Sequence, residues 1–168
     1  MSAGEDVARL RLAGSGTLPD GTLVTWSVAE GARGRRWRWT LASGTELVHV
    51  GLIELDSEGR FVRLELETGE GMLTLHPDRD RRSVHGNIVR ADGVEPVALG
   101  WSDDDALAIH GDPFGSAVLG SQGRGWAVGP DLRLRRDDGA DDRSALGLDE
   151  RGVPGLRDPR EWPLETGS

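Results

Sequence analysis

Between residues 23 and 100 the chain repeats one device. Five to ten residues carry apolar side chains at alternate positions, and a Gly- or Asp-rich turn closes each stretch. In "FVRLELE" (61–67), Val62, Leu64 and Leu66 alternate with Arg63, Glu65 and Glu67, and "TGEG" leads on to "MLTLH" (72–76). A period of two belongs to a strand with one buried face, whereas a helix would need 3.6. The same reading covers "VARLRL" (7–12), "LVTWSV" (23–28), "RWRWTL" (36–41), "SVHGNIVR" (83–90) and "PVALGW" (96–101). It extends to "ALAIHG" (106–111), "GWAVG" (125–129) and "DLRLR" (131–135). "GSGTLPDGT" (14–22) reads as a loop with a Pro-Asp-Gly turn. "ELVHVGLIEL" (46–55) is apolar at both parities, as a strand buried on both faces would be. Strands at this spacing predict an all-β fold: a single curled antiparallel sheet, a β-roll or incomplete barrel, whose curl protects its edges. The one predicted helix covers 113–119, with Asp112 as cap and Pro113 in its first position.

The pattern stops near residue 136. Residues 137–168 hold nine acids, four arginines and three prolines with no sustained period. Such a segment buries too little apolar surface to offset its ordering entropy, so the expected organisation is a β-rich domain over 1–136 and a disordered or loosely docked acidic tail. Trp162 is the tail's one candidate anchor, and a strap closing over a groove is the alternative. An echo at 25 residues, "VHGN" (84–87) with "IHGD" (109–112) and Gly100-Trp101 with Gly125-Trp126, would place Trp101 and Trp126 at equivalent sites if two hairpin units were repeated.

Composition removes several chemistries. All twenty basic residues are arginine, and cysteine and tyrosine are absent. Schiff-base and P-loop lysines, thiolate catalysis, disulfides and zinc–thiolate sites are therefore excluded. The arginine-only, Gly/Asp-rich usage is that of a GC-rich bacterial genome. A net charge of −9 disfavours nucleic acid as a partner, since phosphate neutralisation dominates that affinity. The start lacks the basic and apolar regions of a signal peptide, and no apolar run approaches the ~20 residues of a transmembrane helix, so a cytoplasmic protein is expected.

"GARGRRWRWTL" (31–41) sets four arginines and two tryptophans within nine residues. Strand geometry sends Trp37, Trp39 and Leu41 to one face and Arg36, Arg38 and Thr40 to the other. That separation argues against the interleaved rings and cations of a single-strand nucleic-acid binder. With Trp26, the tryptophans either anchor a core or floor an apolar cavity. Arg33 and Arg35 stand in the preceding Gly-rich loop, where they could grip a phosphate, sulfate or carboxylate, or pair with acids such as Glu30 and Glu54. Of the histidines, His110 with Asp112 and either His85 or His76 is the one metal constellation on offer, without the tight spacing of known sites. "SDDDAL" (102–107) lacks the glycine and distal glutamate of a helix-loop-helix calcium loop. No nucleophile elbow or dinucleotide fingerprint is present, and no cofactor is implied.

The order of elements resembles the bacterial glycolipid-binding family of β-roll, or incomplete-barrel, proteins. "LVTWSV", "VHVGLIELDSEGRFVRLELE" and "HGNIVRADGVEPVALGW" carry the resemblance over roughly residues 20 to 136, while "GDPFGSAVLG" stands where the family has an Asn-Thr-Leu-Pro stretch. The resemblance implies an apolar-ligand cavity and no catalytic residues. The expected function is non-enzymatic binding of a lipid-like or glycolipid ligand in a tryptophan-lined β-cavity with arginines at the mouth. The ligand-binding candidates are Trp26, Trp37, Trp39, Arg33, Arg35, Trp101, Trp126, His85 and His110. Two other readings stand beside it. One is a packed-core module that binds proteins; the other is an enzyme using His85 or His110 with nearby acids. Beside the ligand, a second copy pairing through sheet edges, giving a homodimer, is the candidate partner.

Overall fold

The computed structural model of the protein describes residues 10–120, 124–138, 146–156 and 165–167. Strands β1 (Leu10–Thr17), β2 (Leu23–Gly31), β3 (Gly34–Ser43), β4 (Glu46–Asp56), β5 (Phe61–Thr68), β6 (Gly71–Pro77), β7 (Ser83–Arg90) and β8 (Gly93–Gly100) form an antiparallel meander. A second layer follows: β9 (Ala106–Ile109), α1 (Pro113–Val118), β10 (Gly125–Val128) and β11 (Leu134–Asp137). A hairpin of β12 (Leu146–Leu148) and β13 (Pro154–Leu156) comes next, and β14 (Glu165–Gly167) pairs with β1 as the ninth strand of the large sheet. That sheet stays open, with β14 at one edge and β8 at the other. Pro96, midway along β8, removes a backbone donor from the exposed edge, a common guard against edge-to-edge pairing.

The alternation sorts side chains as strand geometry requires. Val24, Trp26 and Val28 of β2 lie opposite Leu41, Trp39 and Trp37 of β3, and all six are buried. The buried row continues through Ile53, Leu64, Leu75 and Leu66, Leu73, Ile88. On this inner face a buried tryptophan removes roughly 150–250 Å² from water, a gross gain of roughly 4–6 kcal/mol per ring. The second layer roofs it. β9 and β10 run parallel, and the crossover between them contains α1, while β11 pairs antiparallel with β10. Leu107, Ile109, Phe114, Val128 and Leu132 from this layer share one continuous core with the inner face of the large sheet.

Four expectations change. β1 extends through Thr17 into the predicted loop, because Gly14 and Gly16 pair with Trp26 and Val24, and that pairing outweighs glycine's weak strand preference. Among the described residues "ELVHVGLIEL" is covered on one face only, and Val50 on the other is 37% exposed. β11 starts at Leu134 because Leu132 turns the chain at φ 68°, its side chain held in the core. The 25-residue echo has no structural counterpart: Val84–Asn87 lie inside β7, whereas Ile109–Asp112 leave β9 and enter α1. The predicted helix is present, with Asp112 accepting from the Gly115 amide and Pro113 in the first turn. The expected course of residues 7–9, and Trp162 as an anchor, lie outside the described residues.

Candidate functional site

Trp39 is the centre of the inner face. Its ring stacks on Phe114 at 5.2 Å and lies over Gly51 of β4. Its Nε1–H donates to Asp112 Oδ2 at 2.8 Å. His49 Nδ1 bonds the same oxygen at 2.9 Å, and Asp112 Oδ1 accepts from the Gly115 amide. Asp112 is fully buried and has three partners, so this carboxylate ties α1 to β3 and β4. Trp37 Nε1 donates to the carbonyl of Gly152 at 2.8 Å, beneath the turn that joins β12 to β13. Trp26 is buried with its Nε1 unpartnered among the described residues. The three inner tryptophans are thus covered by the chain itself.

The turn from Asp149 to Val153 acts as a strap across the end of β3. Asp149 Oδ1 accepts from the Arg151 and Val153 amides at 2.8 and 2.9 Å, and Val153 is buried. Burial pushes the Asp149 carboxyl up, but those two amides and the Arg151 charge outweigh it and hold the group below its ordinary value of 3.8. A depressed carboxylate stabilises the folded turn above the unfolded pKa, and that stability is lost as pH falls through the folded value. On acidification below pH 4, the Val153 amide resonance is expected to move with the Asp149 titration; an invariant resonance would refute the link.

Arg35 bonds Glu30 at 3.0 Å and the Glu150 carbonyl at 3.1 Å, and lies 5.8 Å from the Trp37 ring. Arg36, on the opposite face, pairs with Glu54 at 2.8 Å. Both acids named from sequence therefore have arginine partners. Gly34, at φ 128°, lets the β2–β3 turn pass close to β4, since a Cβ there would meet Leu55 O at 2.1 Å. Around this turn lies a hollow of about 660 Å³, lined by Arg11, Arg33, Arg35, Arg36, Glu30 and Glu54 among others. Arg11 and Arg33 have no ion pair with any described residue.

A second hollow of about 460 Å³ lies farther along β2, β3 and β4, on the outer face of the sheet. Thr25, Ser27, Arg38, Thr40, Val50 and Leu52 line it together with the buried Trp26 and Trp39, two of the candidates named from sequence, with Glu65, Glu67 and Met72 along one side. Arg36, Arg38 and Thr40 are successive outward positions of β3, about 6.7 Å apart, so the two hollows adjoin. Thr25 and Thr40 are hydrogen-bonded to each other across the strands.

The remaining candidates lie elsewhere. Trp101 packs against Phe61 at 5.4 Å, and Trp126 Nε1 donates to Gly100 O while Arg136 covers its ring at 5.0 Å. Trp101 and Trp126 line a hollow of their own of about 440 Å³, away from the other tryptophans. His85 is not on the tryptophan face. As the outward partner of His76, it bonds Asp78, whose other oxygen accepts from Ser83 Oγ. His110 is exposed beyond β9, and Asp112 bonds His49 instead. Among the described residues, no three His, Cys, Asp or Glu side chains gather as metal ligands. Sequence reasoning did not find the Asp112–His49 pair or Arg11. The cap signal at Asp112 was visible, but not its partners, 63 and 73 positions away.

No described helix is long and apolar enough to cross a membrane. Compared with models of known protein families, with curated proteins and with solved structures, the chain matches none.

Proposed function

We propose that the protein binds, without catalysis, an amphiphile with an anionic head group, held on the outer face of the sheet over β2–β4. The observation that carries this reading is the pair Arg11 and Arg33. Two guanidinium groups with no ion pair to any described residue line one hollow of a chain with net charge −9, and that hollow adjoins a groove containing Val50, Leu52 and Met72. Guanidinium forks suit phosphate, sulfate and carboxylate oxygens. The site differs from the interior cavity expected from sequence, because Trp26, Trp37 and Trp39 are buried under the second layer and the strap.

Native mass spectrometry with lysophosphatidylglycerol and lysophosphatidylcholine tests the reading. A one-to-one adduct with the anionic lipid is expected, weakened about tenfold by Arg33→Ala or Arg11→Ala, the loss of one charged hydrogen-bonding group at an exposed site. Equal binding of both lipids, unaffected by either variant, would overturn it. The exposed Val89 and Val94, 44% and 64% accessible on the same face, favour a protein-interaction module as the second reading. That reading predicts no lipid adduct at all.

A further inference from the structure

We infer that His76 and His85 form a two-imidazole site for a divalent transition-metal ion on the outward face of β6 and β7, with Asp78 fixing the His85 ring. The two histidines are directly paired across the strands, and both stand at positions that alternate with the buried ones. Their ring centroids are 5.0 Å apart, with the planes inclined at 72°. That separation falls within the range a shared ion requires. With metal–nitrogen bonds of about 2.0–2.1 Å and a ring radius of about 1.1–1.2 Å, two imidazoles on one ion have centroids about 4.5 Å apart at a right angle and about 5.2 Å at the tetrahedral angle. The site uses no residue of either hollow over β2–β4, so it is independent of the binding reading above.

Around the pair stands an outer shell. His85 Nε2 bonds Asp78, and the other Asp78 oxygen accepts from Ser83 Oγ. A carboxylate on one ring nitrogen fixes the tautomer, leaves the other nitrogen's lone pair for a metal, and raises the basicity of the ring. Asp78 is itself held in its turn: its amide donates to Ser83 O, and the Arg81 amide donates to Asp78 O. His76 has no hydrogen-bond partner among the described residues, so both of its nitrogens are open to an ion. Two nearby guanidinium charges are committed elsewhere. Arg63, which the β5–β6 register carries to a place beside His76, pairs with Glu65, and Arg81 bonds Asp103 and the Phe61 carbonyl. Imidazole nitrogens suit Zn(II), Ni(II) and Cu(II), whereas Mg(II) and Ca(II) take oxygen ligands. The described residues supply two ligands here, not three, so the exposed side of the ion is left to water.

Calorimetric titration of the full, untagged chain with nickel(II) tests the inference, together with NMR of the imidazole protons during titration with zinc(II). One nickel ion per chain is expected, not displaced by magnesium. His76→Ala and His85→Ala should each abolish that binding, and Asp78→Asn should weaken it roughly 10- to 100-fold. His110→Ala, exposed elsewhere, should leave it unchanged. With zinc, the Cε1–H resonances of His76 and His85 should shift together while that of His110 stays. An unchanged urea midpoint in each variant shows that the loss belongs to the ligands and not to the fold. Nickel binding that survives both alanine substitutions would be an adventitious ion only, on other side chains, and would overturn the site. So would a wild-type chain that takes up no ion. Binding by Asp78→Asn as tight as wild type would overturn the part assigned to Asp78.

Discussion

Replacing Asp112 by Ala is expected to cost about 3–5 kcal/mol, the sum of a lost helix cap and of buried polar groups left without their partner. Three losses combine. The first turn of α1 loses its cap, typically ~1 kcal/mol. Trp39 Nε1, beneath the second layer, loses its acceptor, and a buried unpaired donor costs ~1–3 kcal/mol. His49, only 11% exposed, loses the oxygen that orients its ring. A domain of this size has ~5–15 kcal/mol in total, so the loss would take from about a fifth to all of its stability. Urea unfolding followed by tryptophan fluorescence should show a large fall in midpoint with little change in slope. Asp112→Asn is the sharper test. Its amide oxygen can still accept from Gly115 N, but its NH₂ would face the Trp39 and His49 nitrogens. A loss as small as that of an ordinary surface change would refute the tie between α1 and the sheet. His49→Ala should cost less than either, because Asp112 keeps its bonds to Trp39 and Gly115.

How much of this was legible depended on the range over which each residue acts. Alternation is local, so "RWRWTL" correctly sends Trp37 and Trp39 inward and Arg36 and Arg38 outward. The cap and proline at 112–113 are equally local, and α1 begins where they indicate. "ELVHVGLIEL" misleads because an apolar residue announces a preference for burial, not the presence of a covering layer. Val50 and Leu52 face outward over β4, where no described residue forms a second layer, and that openness is what makes the groove. The strap was legible only as the alternative to a disordered tail. Its composition is that of a tail, and its docking depends on Gly152 meeting Arg35 and Trp37 across 115 positions. Arg11 could not be matched with Arg33 and Arg36 until β1, β2 and β3 were in register. The histidines show a related limit: period two turns His85 outward beside His76, while His49 occupies an inward position that its apolar neighbours concealed.

The second large effect comes from the smallest residue beneath Trp39. Gly51→Ala is expected to cost more than the ~1–3 kcal/mol of ordinary overpacking. A Cβ at position 51 would lie 2.2 Å from Trp39 Cζ2 and 2.4 Å from Cη2, well inside van der Waals contact. Overpacking is tolerable when the neighbour can give way, and here it cannot. The indole is stacked on Phe114, bonded to Asp112, and bounded by Gly115, where an added Cβ would lie 2.9 Å from the same ring. Any shift of the ring breaks the hydrogen bond, and any shift of β4 disturbs its ladders with β3 and β5. Gly69→Ala, in a turn with nothing within 4 Å of the added carbon, should change stability by no more than ~0.5 kcal/mol. The mechanism can be separated from a mere backbone preference for glycine. If the clash is the cause, Gly51→Ala should cost far less in a Trp39→Leu background, where the opposing ring is gone. Equal costs in the two backgrounds would place the requirement in the backbone of β4 and remove Trp39 as its reason.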